Sequence, residues 1–307
     1  MKIKLFAWWN NNSHYITERF KKQYVGSYFK SSNFELTVEE DYDYAVIFGF
    51  TKEKIKTDKD HTILFIQEPF WSNNWDREAY KISNYVFCPS KKLYGEYDEF
   101  IEHASYLFYG GHGDEFFDID TILDYKNVDK PKNLSTVVTY RTSSPTTGCN
   151  THTIYDKRVI LAEECVKRGI DIDVYGQSWE YNPLKSDRIK GGIYTKFLAL
   201  DEYRFSIGIE NSRIHNYITE KLYDILFFNT IPIYCGATNI DDFIELKDTI
   251  ITLDINNIEQ CVDVISSLNE DIYRDKIKDI NSLKYNIFSD INYNIWIKIQ
   301  SIISQQH

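Results

Sequence analysis

The amino-acid sequence predicts an α/β protein with two domains, each built around a parallel sheet. Its first part alternates polar or helix-like stretches with short apolar runs, which are IKLFAWW, YAVIFGF, TILFIQEPF, NYVFCPS and ASYLFYGG. Apolar runs of this length are typical of strands that are buried on both faces of a sheet. A second alternation begins near Leu134, and 307 residues of which 43% are hydrophobic can fill two cores.

A change of composition sets the predicted domain limits. The segment from Asp118 to Pro131 is polar and charged, as expected of a linker. We predict one α/β domain over residues 1–125, a second over residues 126–285, and a C-terminal helix over residues 286–307.

The second predicted domain contains two consecutive units of strand, helix and strand. The first unit is LSTVVTY, YDKRVILAEECVKRG and IDIDVYG, and the second is FSIGIE, TEKLYDILFFN and TIPIYCG. Asp156 is the predicted cap of the first helix, Gly169 suits the left-handed position at its C-terminal end, and Thr219 is the predicted cap of the second helix. Such units pair their strands in parallel through right-handed crossovers. From Asn256 onward the sequence has the spacing of amphipathic helices.

The charge and the cysteines limit the class of protein. A formal net charge of -11 argues against a protein that coats nucleic acid or anionic membranes, because phosphate binding needs concentrated lysine and arginine. We therefore expect no nucleic-acid partner. The five cysteines have no CxxC spacing, which favours a reducing cytoplasm over a disulfide framework or a zinc site. No apolar segment reaches membrane-spanning length, so any membrane contact is expected to be peripheral, at the inner membrane.

Candidate metal ligands are few. The tripeptide DID occurs at residues 118–120 and 171–173, and aspartates in such pairs can hold Mg²⁺ or Mn²⁺. Asp171 and Asp173 flank a predicted strand start, which favours a surface role, and His112 has no partner at metal-ligand spacing. The sequence contains no GxxxxGK[ST], GxSxG or HExxH motif. We expect no metal site and no required cofactor, with at most weak stimulation by Mg²⁺ or Mn²⁺.

Positive side chains occupy the first turns of two predicted helices. Glu220 and Lys221 follow the cap Thr219, and Lys157 and Arg158 open the other helix. The helix dipole favours an anionic side chain at this end and disfavours a cationic one. Cations in both first turns are explained if an anion such as a diphosphate binds there, because free backbone N–H groups and side chains act on it together. The alternative is that these long side chains extend into solvent.

Three segments carry a resemblance to a known family. YRFSIGIENS, NYITEKLYDIL and TIPIYCGA, in this order, resemble the α-1,3-fucosyltransferases of glycosyltransferase family 10. The match is strong from Tyr203 to Ala237, and similarity is weaker from Val137 onward. Arg204, Ile209 and Asn216 depart from the Lys, Phe and Asp that are usual in the family.

The resemblance implies a fold and a set of binding residues. The implied fold is GT-B, in which two Rossmann-like domains face a central cleft; the second would bind GDP-fucose and the first would lie on the acceptor side. The donor-binding residues implied by the resemblance are Arg158, Asn211, Tyr217, Glu220 and Lys221. Glu220 would accept hydrogen bonds from the ribose hydroxyls, while Lys221 and Arg158 would neutralise the diphosphate. Glu210 is a further candidate, although a carboxylate at a strand end can instead cap the following loop.

Family members carry a catalytic base at the end of a strand of the N-terminal domain, and Glu68 in TILFIQEPFW occupies the matching place. An inverting transfer needs a base for the acceptor hydroxyl, opposite the departing nucleotide. Pro69, Phe70 and Trp71 can exclude water and raise the proton affinity of Glu68. The alternative for Glu68 is a loop carboxylate beside an aromatic platform for the acceptor, and Glu78 is the reserve candidate for the base.

The function implied by the resemblance is inverting transfer of L-fucose from GDP-fucose to a hydroxyl of an oligosaccharide or lipid-linked glycan, with an α-1,3 linkage. We expect a bacterial enzyme of polysaccharide or lipopolysaccharide biosynthesis that acts in the cytoplasm. Two alternatives stay open. One is a transferase that uses another GDP-deoxysugar, and the other is a non-catalytic carbohydrate-binding protein, which the abundant aromatic residues suggest. The sequence leaves the oligomeric state open.

Overall fold

Two parallel sheets of six strands each organise the part of the chain that the structure describes. The computed structural model describes residues 1–9, 12–31, 33–103, 118–141 and 153–307. The two sheets confirm the predicted α/β class. The predicted strand ASYLFYGG lies outside the described residues.

The first sheet is formed by the N-terminal part of the chain. Its strands are β1 (Lys2–Ala7), β2 (Glu35–Thr37), β3 (Tyr44–Phe48), β4 (Thr62–Phe65), β5 (Tyr85–Cys88) and β6 (Phe100–Glu102). Their order is β2, β1, β3, β4, β5, β6, and each adjacent pair is parallel. β3 and β4 are buried along their whole length, as their continuous apolar sequences predict.

The second sheet follows in sequence. Its strands are β7 (Lys132–Val137), β8 (Ile172–Tyr175), β9 (Ile189–Gly191), β10 (Tyr203–Ile209), β11 (Ile231–Cys235) and β12 (Ile251–Thr252). Their order is β12, β11, β10, β7, β8, β9, again with parallel pairing throughout. β10 therefore lies in the middle of the sheet, between β7 and β11.

Helices connect and cover these strands. The α-helices are α1 (Ser13–Phe20), α2 (Lys91–Tyr94), α3 (Ile119–Asp124), α4 (Tyr155–Lys167), α5 (Glu220–Phe227), α6 (Ile244–Lys247), α7 (Ile258–Ser266), α8 (Glu270–Lys276), α9 (Ile280–Ser289) and α10 (Ile295–Ser304). Short 3-10 helices include Trp179–Tyr181 and Lys196–Ala199. The helices α7 to α10 confirm that the C-terminal part is helical.

The ends of α4 and α5 show which local predictions hold. α4 begins with the residue before Asp156, and Ile154 occupies the cap position, so the predicted capping role of Asp156 is wrong. Asp156 instead lies in the first turn, where the helix dipole favours a carboxylate. Gly169 has the predicted left-handed conformation, with φ of +71°. Thr219 caps α5 as predicted, because its side-chain oxygen accepts a hydrogen bond from the backbone N–H of Lys221.

The last helix, α10, packs against the first sheet although it follows the second sheet in sequence. Trp296 donates a hydrogen bond from Nε1 to the carbonyl oxygen of Phe29 at 2.9 Å. Beyond the helix, the hydroxyl of Tyr44 donates to Oε1 of Gln306 at 2.7 Å. The C-terminal end of the chain therefore ties the two halves of the molecule together. The residue limits of the domains remain a prediction.

Two buried lysines lie where the chain passes from the first sheet to the second. The Nζ of Lys284 donates to the carbonyl oxygen of Tyr125 at 2.8 Å. The Nζ of Lys130 donates to the carbonyl oxygens of Asp201 at 2.6 Å and Phe228 at 2.7 Å. Burial lowers the pKa of Lys284 to about 7 and that of Lys130 to about 8. Both lysines hold the linker through these hydrogen bonds, although burial disfavours the charge of their ammonium groups.

The low pKa of Lys284 predicts a pH-dependent stability. In the unfolded chain this lysine keeps its proton up to about pH 10, so the unfolded state binds more protons than the folded state above about pH 7. The free energy of unfolding should rise with pH in this window, with a contribution from Lys284 on the order of 1 kcal/mol per pH unit. Urea denaturation between about pH 7 and 9.5 should show a smaller rise for Lys284→Met.

Lys278→Met is the matched control, because the side chain of Lys278 is 67% exposed. This variant should keep the pH dependence of the parent protein. Identical pH dependence in Lys284→Met and the parent protein would contradict the prediction.

Candidate active site

The first turn of α5 brings two charged residues to the carboxyl end of β10. Thr219 caps the helix, which places Glu220 and Lys221 at its N-terminus. α5 packs closely on β10 because Gly208 has no side chain: a Cβ atom there would lie 2.6 Å from the carbonyl oxygen of Lys221. In open α/β sheets, ligands bind outside the carboxyl ends of the strands.

Glu210 anchors this first turn from the end of β10. Its carboxylate is buried, and its two oxygens accept hydrogen bonds from the backbone N–H and the hydroxyl of Thr219, both at 2.7 Å. Burial raises the pKa of Glu210, although the Nζ of Lys221, 3.7 Å from Oε2, acts in the opposite direction. These contacts support the alternative in which Glu210 holds the following segment.

Glu220 is held as a carboxylate by two lysines. Burial disfavours its charge, but Lys221 and Lys196 outweigh burial and hold the pKa of Glu220 well below its usual range. The Nζ of Lys221 donates to Oε1 of Glu220 at 2.9 Å and to the hydroxyl of Thr219 at 3.2 Å. Glu220 is therefore ionised at neutral pH, and its free lone pairs can accept hydrogen bonds from vicinal hydroxyls.

Arg158 brings a second cation from the first turn of α4. Its guanidinium group lies 4.0 Å from the centre of the Tyr155 ring, and Nη1 donates to the carbonyl oxygen of Ile209 at 3.3 Å. Arg158 is only 9% exposed, and its Nε has no hydrogen-bond partner within the residues that the structure describes. Burial lowers the pKa of Arg158, which nevertheless stays charged. A buried cation with an unpaired donor is suited to receive an anion.

A pocket joins these groups. It encloses about 520 Å³ of space, part of it open to solvent, and lies over β7 and β10 beside α4 and α5. The charged residues that line it are Arg158, Lys196, Glu220, Lys221 and Asp224.

The structure brings Arg158, Glu220 and Lys221 together in this pocket, with Asn211 and Tyr217 in the segments beside it. The backbone carbonyl of Asn211 accepts a hydrogen bond from the N–H of Ile154 at 3.2 Å, beside the start of α4. Tyr217 is 2% exposed, and burial raises the pKa of its phenol. In the described part of the chain, neither residue lines the pocket, so their contacts hold the segments around it.

Glu68 faces this cluster from the end of β4. Burial is the largest influence on Glu68 and raises its pKa; Glu220 raises it further, whereas Lys221 lowers it. Glu68 therefore lies close enough to Glu220 and Lys221 for the charges of these two residues to change its pKa. The backbone carbonyl of Glu68 accepts a hydrogen bond from the hydroxyl of Tyr94 at 2.6 Å, which fixes the segment that carries it.

The segment after Glu68 also contacts the second half of the molecule directly. The indole Nε1 of Trp71 donates to the hydroxyl of Ser212 at 2.9 Å, across the cleft. Arg77 stacks on the ring of Trp75 at 3.9 Å and donates to the carbonyl oxygen of Ser72 at 2.8 Å. Glu68 therefore lies on a loop whose backbone and aromatic side chains are held in place.

The reserve candidate, Glu78, lies away from the charged pocket. Its side chain is 63% exposed, and Oε1 lies 2.5 Å from the Nζ of Lys81 on the same surface segment. Exposed ion pairs of this kind are typical of protein surfaces and contribute little to stability. Glu78 therefore serves as a natural control for Glu68.

Lys196 and Asp224 are part of the pocket that sequence reasoning missed. Lys196 precedes an apolar segment with no recognisable motif, and it reaches α5 only through the folded arrangement. Asp224 could have been found, because it follows Glu220 by four residues and such residues share a face of a helix. No motif or residue spacing in the sequence indicates a role for Lys196.

The acidic residues of the described chain form no evident metal site. Among the described residues, no group of three or more His, Cys, Asp or Glu side chains is placed to hold a metal ion. Asp173, expected at the surface, is buried and accepts a hydrogen bond from the hydroxyl of Tyr203 at 2.7 Å. His112 lies outside the described residues. In the described helices, none combines the length and apolar character needed to span a membrane.

A family model and several known proteins match parts of the chain. Residues 140–276 match the family model described as glycosyltransferase family 10 (fucosyltransferase) C-term. Alpha-(1,3)-fucosyltransferase fut-5 of Caenorhabditis elegans is 37% identical over 81 residues, which cover 25% of this chain and 21% of that protein. Alpha-(1,3)-fucosyltransferase FucT of Helicobacter pylori is 33% identical over 70 residues, which cover 23% of this chain and 15% of that protein. The chain thus spans about a fifth or less of the length of these relatives.

The similarity of the fold extends over the whole chain. A crystal structure of an alpha1,3-fucosyltransferase with GDP-fucose aligns with a TM-score of 0.56 and 14% identity, covering 99% of this chain and 89% of that chain. At this identity the likeness concerns the fold. It confirms the predicted GT-B arrangement of two α/β domains, with the charged pocket in the second.

Gly208→Ala tests the close packing of α5 on β10. The added methyl group must displace the backbone at Lys221, and the free energy of unfolding should fall by ~1–3 kcal/mol in urea denaturation. Gly192→Ala is the control, because a Cβ atom there has Gln177 Cγ, at 3.9 Å, as its neighbour. Equal stability of the two variants would show that β10 and α5 are not in the contact described.

Proposed function

We propose that the chain transfers L-fucose from GDP-fucose to a hydroxyl group of a glycan. The proposal starts from the match of residues 140–276 to the family model of glycosyltransferase family 10 (fucosyltransferase) C-term. The observation that carries this proposal is the convergence of Arg158, Glu220 and Lys221 on one pocket, with Glu68 on the facing side. This arrangement offers cations for a diphosphate, a carboxylate for a ribose and a base for an acceptor.

The donor is held by charges from two helices. Arg158 and Lys221 bind the diphosphate oxygens, and the Nε of Arg158, which has no partner among the described residues, supplies a donor that is already desolvated. Glu220 accepts hydrogen bonds from the ribose hydroxyls. Charge-assisted hydrogen bonds in a pocket that excludes much of the water are stronger than neutral ones in solvent. This division of roles needs no metal ion for binding, and it is compatible with weak stimulation by Mg²⁺ or Mn²⁺.

Transfer proceeds by direct displacement with inversion. Glu68 takes the proton of the acceptor hydroxyl, whose oxygen forms a bond to the anomeric carbon of fucose while the bond from that carbon to the β-phosphate oxygen breaks. GDP leaves with the electron pair, and Arg158 and Lys221 neutralise the charge that develops on it. The raised pKa of Glu68 makes it a stronger base than an exposed glutamate.

The acceptor is a glycan that approaches from the first sheet. An oligosaccharide or a lipid-linked glycan fits a base that lies on that side, and the proposed product has an α-1,3 linkage, as in the named relatives. We infer a bacterial setting in polysaccharide or lipopolysaccharide biosynthesis, in the cytoplasm or at the inner membrane. An assay of GDP release with GDP-fucose and a panel of oligosaccharides tests this proposal, and competing GDP-sugars identify the donor.

Arg158→Met and Lys221→Met test whether these two cations bind the diphosphate. Each variant should lose ~2–4 kcal/mol of transition-state stabilisation, measured as the decrease in kcat/KM for GDP-fucose, because a cation next to the leaving group is removed. Lys157→Met is the matched control, since Lys157 donates to Asn256 at 2.5 Å on an exposed part of the surface. An equal loss in Lys157→Met and Arg158→Met would refute the specific role of Arg158.

Glu68→Gln tests the proposed base. The variant should bind GDP with the affinity of the parent protein but lose transfer by ~10²-fold or more, since an amide cannot take the proton of the acceptor. GDP binding by calorimetry and turnover by GDP release separate the two effects. Glu78→Gln, the exposed control, should keep both. Turnover that persists in Glu68→Gln and is lost in Glu78→Gln would move the base to Glu78.

A further inference from the structure

Lys196 connects two carboxylates of α5 from a distant segment of the chain. Its Nζ lies 2.7 Å from Oδ2 of Asp224 and 3.9 Å from Oε1 of Glu220. Its side chain is only 17% exposed, and that of Asp224 only 5%. Lys196 also lines the charged pocket, so the pair forms part of the wall beside Glu220.

The pairing has a consequence for Glu220. Glu220 and Asp224 are four residues apart on one face of a helix, where two carboxylates repel each other. Lys196 lies near both and offsets this repulsion. Lys221 approaches Glu220 as well, at 2.9 Å, so cations from two separate segments restrain one carboxylate.

A purely stabilising role explains this arrangement poorly. The desolvation of a buried lysine and aspartate largely offsets their mutual attraction, so a salt bridge between Lys196 and Asp224 alone gives little stability. A restrained Glu220, in contrast, loses less side-chain freedom when a ligand binds. We therefore attribute the pair to its effect on ligand binding, which is to restrain Glu220.

We propose that Lys196, held by Asp224, is a positioning residue that orients the Glu220 carboxylate toward the ribose hydroxyls of the donor nucleotide. This inference rests on the proposed function and adds a residue outside the three segments that carry the resemblance. Lys196 acts through Glu220 and makes no contact with the nucleotide itself. Its charge also lowers the pKa of Glu220, together with that of Lys221, which keeps the carboxylate ready to accept hydrogen bonds.

The test is a titration of the full chain with GDP. The double variant Lys196→Met, Asp224→Asn removes the pair without leaving a buried charge alone. It should bind GDP about tenfold more weakly at pH 8, the loss expected when one charge-assisted hydrogen bond is poorly oriented. Lys196→Arg keeps the charge and should restore most of the affinity.

A double-mutant cycle shows whether Lys196 acts through Glu220. In a Glu220→Gln background, the Lys196→Met, Asp224→Asn pair should have little further effect on GDP affinity. An equal, additive loss in that background would mean that Lys196 acts on the nucleotide by itself and would overturn the inference. Parent-like affinity for GDP in the double variant would also overturn it. If the parent protein itself bound no GDP, the proposed function would fail, and this inference with it.

Discussion

The geometry of the site depends on the two hydrogen bonds that Thr219 donates to the buried carboxylate of Glu210. They connect the end of β10 to the cap of α5, which determines where Glu220 and Lys221 lie. A buried carboxylate is costly unless its oxygens are hydrogen-bonded, and the backbone N–H and hydroxyl of one residue satisfy both oxygens here. Gly208 complements this contact, because its missing side chain lets the first turn of α5 lie against the strand.

The carboxylates of the site differ because their surroundings differ. Burial raises the pKa of Glu210 and Glu68, whereas lysines on both sides of Glu220 lower its pKa despite burial. Groups with the same chemistry thereby acquire separate roles: an anchor, a proton acceptor and a permanent anion. The buried Arg158 adds a cation to the same pocket, and its Nε has no hydrogen-bond partner among the described residues. These buried charges are available to bind an anionic ligand, and their desolvation lowers the stability of the protein.

The sequence was informative where a signal is local. Continuous apolar runs predicted β3, β4, β10 and β11, and the cap Thr219 and the left-handed Gly169 follow from the conformations that those residue types favour. The Glu220 and Lys221 pair was found because it lies in a long ordered motif. Lys196 was not found, because its partner Asp224 is brought near only by folding. The predicted cap at Asp156 was wrong because the helix starts two residues earlier than that cap implies, and helix ends are weakly encoded.

The position of α10 illustrates the same limit for the tail. Its isoleucines predict an amphipathic helix, but nothing in the tail specifies that Trp296 contacts Phe29, which precedes β2.

A crystal structure with GDP would show directly whether cations from α4 and α5 hold one nucleotide. We expect diphosphate oxygens within ~3.2 Å of both Arg158 and Lys221 and a ribose hydroxyl on Glu220. A diphosphate that touches neither cation would contradict it.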